Sequence, residues 1–482
     1  MSLRSDVLHS LKWLAGARLV GQFVAWAITL VVIRILNPSD YGLMTIAEMM
    51  MGFAALFQEM GLYSAMVQKR DLTERQIEQS FGLLIIANVA IYALVFMLAP
   101  LFAHFFDEPR LINIIRVLGI QFPLAAVGVV QDSMLSRSMN FKRKSLVNVA
   151  VIIGGGFTTL GFALSGAGVW ALVYGALVGS FIRPVGLALA AQHWCQPRFS
   201  RTGMADMIRF GGFVTASKLI WYVYSQADVF IIGKLLGKEI LGYYSIGLQL
   251  ASLPMQKTSS LLSQVGLAAY SSVQHDIEVV RSHFCKAVRI LSFISFPVFW
   301  GIASIAPDLV AVVLGSRWMP AVIPLQLLSL LMPLRMVSHS GTGALEAIGK
   351  PQIGTSNSLV ALLIMPPAFF VGAYYGGLTG VCIAWLVAYP IVRVIQLRSA
   401  LPPIGMTISE YFLAMGGPAL GGLVMYLAVI AARETIADPF LRPAFGLVFL
   451  FSVGVLVYAA FMWFLRRDDC QEVLALLKKK AY

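Results

Sequence analysis

Leu36-Asn-Pro-Ser-Asp-Tyr-Gly42-Leu-Met-Thr-Ile46 aligns without a gap on Leu236-Gly-Lys-Glu-Ile-Leu-Gly242-Tyr-Tyr-Ser-Ile246, an offset of 200 residues. Each stretch joins one apolar run to the next. Upstream, the same offset sets Arg34 on Lys234 and Arg18 on Lys218. Cations are scarce inside apolar helices, so two matched cations beside a matched leucine, glycine and isoleucine predict an internal repeat. Pro123-Leu124 against Pro333-Leu334, and Gly168-Val169-Trp170 against Gly380-Val381-Cys382, are weaker echoes that pair further helices of the two halves.

The segments around these turns have the composition of membrane spans. Of 482 residues 59% are hydrophobic and 12% charged, and the mean hydropathy is +0.80. Three packed soluble domains could not enclose that much apolar side chain. A helix crosses the bilayer in about 20 apolar residues, and about fourteen runs of that order are bounded by charge, proline or glycine. They cover 12–36, 41–67, 81–106, 113–139, 147–165, 169–191, 210–236, 240–268, 287–314, 321–348, 353–375, 379–397, 412–432 and 443–465. Pro254 and Pro333 predict kinks in two of them. The expected fold is thus an all-α integral membrane protein of about fourteen helices, with the spans themselves set by the thickness of the hydrocarbon.

Lys and Arg gather in alternate connections, among them Lys69, Arg70 and Arg75, then Arg137, Lys142, Arg143 and Lys144, then Arg281, Lys286 and Arg289, then Arg393 and Arg398. Retention of positive charge on the cytoplasmic side makes these the inner loops and puts both termini inside. Matched helices of the repeat then run the same way, which predicts two six-helix lobes related by an axis along the membrane normal: an N-terminal lobe over 1–191 and a C-terminal lobe over 210–397. Two additional helices over 412–465 and a basic cytoplasmic tail over 466–482 complete the expected organisation. The first run is long and carries Arg18 and Arg34, unlike a cleavable signal.

Several chemistries are excluded by pattern. The net charge of +13 lies in short clusters between spans, as topology requires, and nucleic acid is not an expected partner. Cys195, Cys285, Cys382 and Cys470 are far apart, without the spacing of a zinc site or disulfide framework. Gly233-Lys-Leu-Leu-Gly-Lys238-Glu lacks the spacing and hydroxyl of a nucleotide-binding loop. His104-Phe-Phe-Asp107 has the wrong spacing for a membrane acyltransferase, and every expected outer loop is too short for a polymerase or ligase. No enzymatic activity and no cofactor are expected.

Twelve helices in two parallel halves plus two, the Asn37-Pro-Ser-Asp-Tyr-Gly42 turn, and the basic Ser136-Arg-Ser-Met-Asn-Phe-Lys-Arg-Lys144 segment resemble the polysaccharide transporter family. The likeness is to its colanic-acid-exporter and O-antigen flippase type, within the superfamily of multidrug, oligosaccharidyl-lipid and polysaccharide exporters. It implies ion-driven passage of a polyprenyl-diphosphate-linked oligosaccharide across the bacterial inner membrane for surface polysaccharide and lipopolysaccharide biosynthesis. Membrane lipids and polysaccharide polymerase or assembly proteins are the other implied partners. A multidrug or metabolite exporter on the same fold is the alternative. Drug-exporting relatives often carry an acid early in helix 1, and here that helix is cationic, which favours an anionic cargo.

An ionisable side chain within a span costs about 2.5–3.5 kcal/mol on insertion scales, so each needs water, a partner or a ligand. Arg34, Arg116 and Lys234 fall near expected outer ends and Glu346 near an inner one, where snorkelling accounts for them. Lys257 and Arg335 fall near mid-span, and Arg18, Arg183 and Lys218 lie about a third of the way in. These five are the expected diphosphate contacts, because guanidinium forks and ammonium groups replace lost hydration by charge-assisted hydrogen bonds. The alternative is that each pairs with a buried acid and holds helices together. Glu48 and Glu59 share a helix face, and with Asp132 and Asp228 they are candidates to bind a coupling ion, H+ or Na+, unless they serve as those structural partners. Trp221, Tyr222, Tyr224 and Gln226 offer ring faces and polar groups to sugars, though aromatic belts and helix contacts use the same residues.

Overall fold

The fold is described from a computed structural model. It describes residues 21–59, 61–69, 71–191, 195–200, 212, 215, 218–272, 276–350, 352–435, 443–465 and 467, with backbone alone at 256–272, 339, 340, 342, 435, 443 and 444. Among these every regular element is a helix: α1 (Gly21–Ile35), α2 (Pro38–Gln58), α3 (Leu62–Gln68), α4 (Glu74–Phe105), α5 (Arg110–Gly119), α6 (Gln121–Arg137), α7 (Phe141–Leu164) and α8 (Val169–Ala191). There follow α9 (218–225), α10 (Ala227–Leu235), α11 (Gly237–Ser272), α12 (Ile277–Leu309), α13 (Val322–Ala347), α14 (Gln352–Ala400), α15 (Ile408–Thr435) and α16 (Pro443–Leu465). Nine helices among the described residues are long and apolar enough to cross a membrane. One of these, α14, reverses at Gly377, so its two legs correspond to the runs 353–375 and 379–397.

One apolar run is not a single helix. The run 41–67 divides into α2 and α3 because Gly61, at φ 66°, takes the left-handed conformation that ends a helix. Hydropathy averages over such a break. The run 113–139 forms one continuous stretch over Arg110–Arg137, with Ile120 in helical conformation between α5 and α6. Pro254 and Pro333 do lie inside helices, α11 and α13.

Starts are set by short polar motifs. Asn37 precedes Pro38 at the first position of α2, and the Asp40 carboxylate accepts from the Asn37 amide at 3.1 Å. Thr73 with Gln76 begins α4 in the same reciprocal way, and Thr407 with Glu410 begins α15.

The chain forms two compact units, Met1–Gly242 and Tyr243–Tyr482. In the first, α8 packs on α6 and α7, with Leu135, Val147 and Leu187 between them. In the second, α12 packs on α13 and α15, and α16 packs on α15. Lipid solvates apolar faces as well as a protein interior does, so helices in a membrane are held by close packing and polar ties. The α12–α15 pair shows both. Arg281 bonds Glu410 near one end and Arg433 Nε meets Asp308 Oδ2 at 3.1 Å near the other. Between these ties, Met425 and Val429 pack with Tyr458 of α16, whose hydroxyl donates to the Phe293 carbonyl at 2.9 Å. Exposed side chains such as Leu363, Leu413, Leu456 and Phe464 form the outer apolar surface.

Candidate functional site

The two repeated turns meet within the first unit. A Cβ on Gly42 would collide with the Lys238 carbonyl, and a Cβ on Gly242 would collide with the Pro38 carbonyl. The contacts exchange under the offset of 200: 42 touches 238, and 242 touches 38. Both obstructions are backbone atoms, so only glycine allows the approach.

Charge reinforces the same end of the unit. Between α4 and α5, Glu108 takes Arg110 Nε at 2.7 Å and also pairs with Lys238. Lys234 Nζ lies 2.9 Å from Asp107 Oδ2 and donates to the Phe105 carbonyl at 2.6 Å. Lys234, expected to snorkel toward headgroups, instead ties α10 to the α4–α5 turn. Phe105 also stacks on Phe230 with centroids 5.4 Å apart. The hydrogen bond from Arg110, joined by that from Lys238, outweighs burial and holds the Glu108 carboxyl down to about 2.

A carboxyl whose pKa is lower in the folded chain than in the unfolded one adds stability above the unfolded value. That stability is lost as pH falls through the folded value. For Glu108 the window runs from 4.5 down to about 2. The unfolding midpoint of the purified protein is expected to fall over this window, and Glu108→Gln should flatten the fall. An unchanged acid profile in that variant would contradict the assignment.

A second polar cluster sits inside the first unit. Asp132 on α6 is buried, and its Oδ1 lies 2.6 Å from Lys144 Nζ while its Oδ2 lies 3.4 Å from Arg183 Nη2. Lys144 further donates to Ser136 Oγ at 3.1 Å and Tyr63 OH at 3.3 Å, and those two hydroxyls are 2.9 Å apart. One acid thus joins α6, α7 and α8, with α3 attached through Tyr63. Arg183 and Asp132, candidates for cargo and coupling ion respectively, are brought together in the arrangement that structural pairing would produce. Asp132→Asn leaves two cations facing a neutral amide. Loss of one partner from a fully buried pair costs about 3–5 kcal/mol, which partial exposure of both cations reduces to about 2 kcal/mol here. A clear fall in the detergent unfolding midpoint is expected, and a wild-type midpoint would contradict it.

The remaining sequence candidates separate by partner. Arg335 lies on α13 with its guanidinium 4.7 Å from the Trp385 ring centroid, and Trp385 Nε1 donates to the buried Tyr244 hydroxyl at 2.9 Å. No carboxylate of a described residue reaches Arg335. Lys218 on α9 is exposed and has no ion pair among the described residues. The same holds for the exposed Glu48 on α2 and the half-buried Glu59 just beyond its end. Asp228 is buried at the start of α10 and accepts from the Val229 amide at 2.8 Å.

Of the aromatic group, Trp221 is exposed, and Tyr222 donates to the Met49 carbonyl at 2.5 Å with its ring 6.4 Å from Phe53. Tyr222 therefore ties α9 to α2. Tyr224 is half-buried, and Gln226 marks the turn between α9 and α10. Arg18 lies outside the described residues, as does the side chain of Lys257, whose backbone belongs to α11.

Other features escaped the sequence. Lys144, counted among inner-loop cations, is a member of the Asp132 cluster. Arg393, also counted as a loop cation, is buried within α14. Asp107 and Glu108 show no pattern by themselves, and only their partners on α10 and α11 reveal them. Among the described residues no three His, Cys, Asp or Glu side chains group to hold a metal.

Comparison with known proteins adds the family. The chain is 23% identical to the lipopolysaccharide biosynthesis protein WzxC of Escherichia coli K12, over 87% of this chain and 86% of that protein. It is also 23% identical to the succinoglycan biosynthesis transport protein ExoT of Rhizobium meliloti, over 93% and 90% of the two chains. Among solved structures, the lipid II flippase MurJ in an inward closed conformation shares the fold, with a TM-score of 0.75, 14% identity and coverage of 93% of this chain and 98% of that one. The model of one family, described as polysaccharide biosynthesis protein, matches residues 31–323, which is more than half of the 482 residues. A multi-pass chain, helical throughout its described elements, with cations set among its spans and matched in this way, belongs to the polysaccharide biosynthesis protein family.

Proposed function

We propose that this protein moves a polyprenyl-diphosphate-linked oligosaccharide from the cytoplasmic to the periplasmic leaflet of a bacterial inner membrane, by ion-coupled alternating access. The observation that carries this is Arg335. A guanidinium within a membrane helix, braced on Trp385 and without a carboxylate among the described residues, calls for an anion, and a diphosphate headgroup is the anionic part of such a cargo. Lys218 is a second cation without an ion pair among the described residues, and Arg18 and Lys257 complete the proposed set. Arg183 belongs to the set only if it leaves Asp132 during the cycle. The names of ExoT and MurJ, a transport protein and a flippase, favour transport.

The finer architecture is part of the proposal. It comprises about fourteen helices, each of the length that spans hydrocarbon, in lobes 1–191 and 210–397, with additional helices over 412–465, a tail over 466–482 and both termini cytoplasmic. The reciprocal contacts of 42 with 238 and 242 with 38 support the parallel repeat, since a two-fold relation makes each contact recur with its members exchanged. In this topology the turn contacts and the ties of Asp107 and Glu108 lie at the periplasmic end of the first unit. Glu48, with no ion pair among the described residues, is the favoured site for a coupling H+ or Na+, ahead of Glu59, Asp132 and Asp228. Trp221, Tyr222, Tyr224 and Gln226 are proposed sugar contacts, and polymerase or assembly proteins are proposed partners.

Deletion of the gene, followed by extraction of polyprenyl-linked sugars, tests the substrate class. A complete repeat unit should accumulate on its lipid while surface polysaccharide disappears, and the wild-type gene should reverse both. Normal polysaccharide without accumulation would favour the drug or metabolite exporter.

A further inference from the structure

We propose that Arg393, with Tyr411, Tyr389, Ser338 and the gap at Gly341, forms an oxyanion site that receives a phosphate group of the lipid-linked substrate before Arg335 does. This rests on the substrate class proposed above and adds a station to its route.

The site follows from a ladder between α13 and the second leg of α14. Arg335 lies over Trp385 at 4.7 Å, Tyr389 OH donates to Ser338 Oγ at 3.3 Å, and a Cβ at Gly341 would stand 3.9 Å from Arg393 Nη2. The rungs advance by three residues on α13 and by four on α14, so each set occupies one face of its helix, and the helices run parallel in register. At a rise of 1.5 Å per residue, Gly341 is about 9 Å along α13 from Arg335. In the proposed topology Arg393 is on the cytoplasmic side of Arg335, so a headgroup entering from that side meets it first.

Arg393 is 8% exposed. A guanidinium carries five N–H donors. Among the described residues Arg393 makes one hydrogen bond, from Nη2 to Tyr411 OH at 3.3 Å, and its buried Nε has no partner. No carboxylate of a described residue pairs with it, and the nearby Glu410 of α15 is engaged by Arg281. Buried cations are ordinarily paired and their donors satisfied, because desolvation is otherwise uncompensated.

What surrounds Arg393 flanks its plane and, among the described residues, occupies one of its donors. Its Cζ lies 5.6 Å from the Tyr411 ring centroid, and the Phe284 ring stacks on Tyr411 with centroids 6.4 Å apart. At Gly341 a Cβ would stand 3.9 Å from Nη2 and 4.0 Å from Phe284 Cζ, so the glycine leaves a space of about one methyl group beside the guanidinium, which a single oxygen could take. A guanidinium fork with nearby hydroxyls suits a tetrahedral oxyanion, which accepts several hydrogen bonds at once.

The test is equilibrium binding of inorganic pyrophosphate and of farnesyl diphosphate to the full chain in phosphatidylcholine nanodiscs. Wild type is compared with Arg393→Met, Gly341→Val and Arg335→Met. Arg393→Met should weaken pyrophosphate binding at least tenfold, and Gly341→Val, which keeps the charge and fills the gap, should do the same. If Arg393→Met does not fold, Gly341→Val decides. Equal pyrophosphate affinity in wild type and Gly341→Val would overturn the proposal, and loss of farnesyl diphosphate binding in Arg335→Met alone would leave the substrate class standing. Displacement of pyrophosphate by added phosphatidylglycerol would assign the site to lipid headgroups and remove it from the substrate route. A wild-type chain that binds neither diphosphate would overturn both the station and the substrate class.

Discussion

Gly42→Ala is expected to reduce export of surface polysaccharide at least about fivefold while the protein remains in the membrane near its wild-type level. The added Cβ meets the Lys238 carbonyl, a backbone atom that no rotamer change can move aside. Overpacking of this kind costs about 1–3 kcal/mol, which shifts the population of the arrangement in which the turns touch by about five- to 150-fold. The effect falls on the state in which the turns touch, and a protein that must visit this state in every cycle slows accordingly. Gly242→Ala meets the Pro38 carbonyl and should behave alike. Export is read from surface polysaccharide in a deletion strain, with membrane levels checked by immunoblot. Wild-type export by both variants would show that the contact is not part of the cycle.

Arg335→Ala is expected to abolish export and to leave the complete lipid-linked repeat unit on the cytoplasmic side. Arg335→Lys should recover a minor part, because an ammonium keeps the charge but loses the planar fork and its stacking on Trp385. Stability should change little, since no carboxylate of a described residue depends on this guanidinium. The check is the amount of lipid-linked repeat unit in cells expressing each variant at matched levels. Full export by Arg335→Ala would remove the residue from the substrate path.

Much of this was legible in the chain, and what was hidden had physical causes. Long apolar runs announce membrane helices directly, and the offset between Leu36-to-Ile46 and Leu236-to-Ile246 marked the very turns that meet at Gly42 and Gly242. The Asn37-Pro38-Ser39-Asp40 stretch was visible as a motif, and in the fold it is the start of α2, with Asp40 bonded back to Asn37. The break at Gly61 was hidden because hydropathy does not register a change of backbone conformation. Pairing was hidden for another reason. Asp132, Lys144 and Arg183 are on three helices, and nothing in their spacing states which faces will meet. Arg393 was obscured by its position near the end of an apolar run, where counting positive charge assigns a residue to a loop even when its side chain is buried.

The most direct test of the central claim is translocation by the purified protein in liposomes containing a fluorescent polyprenyl-diphosphate oligosaccharide, with a membrane-impermeant quencher outside and an imposed H+ or Na+ gradient. The account predicts gradient-dependent movement of the labelled lipid between leaflets by wild type, and none above protein-free liposomes with Arg335→Ala. Equal rates for wild type, Arg335→Ala and protein-free liposomes would contradict it.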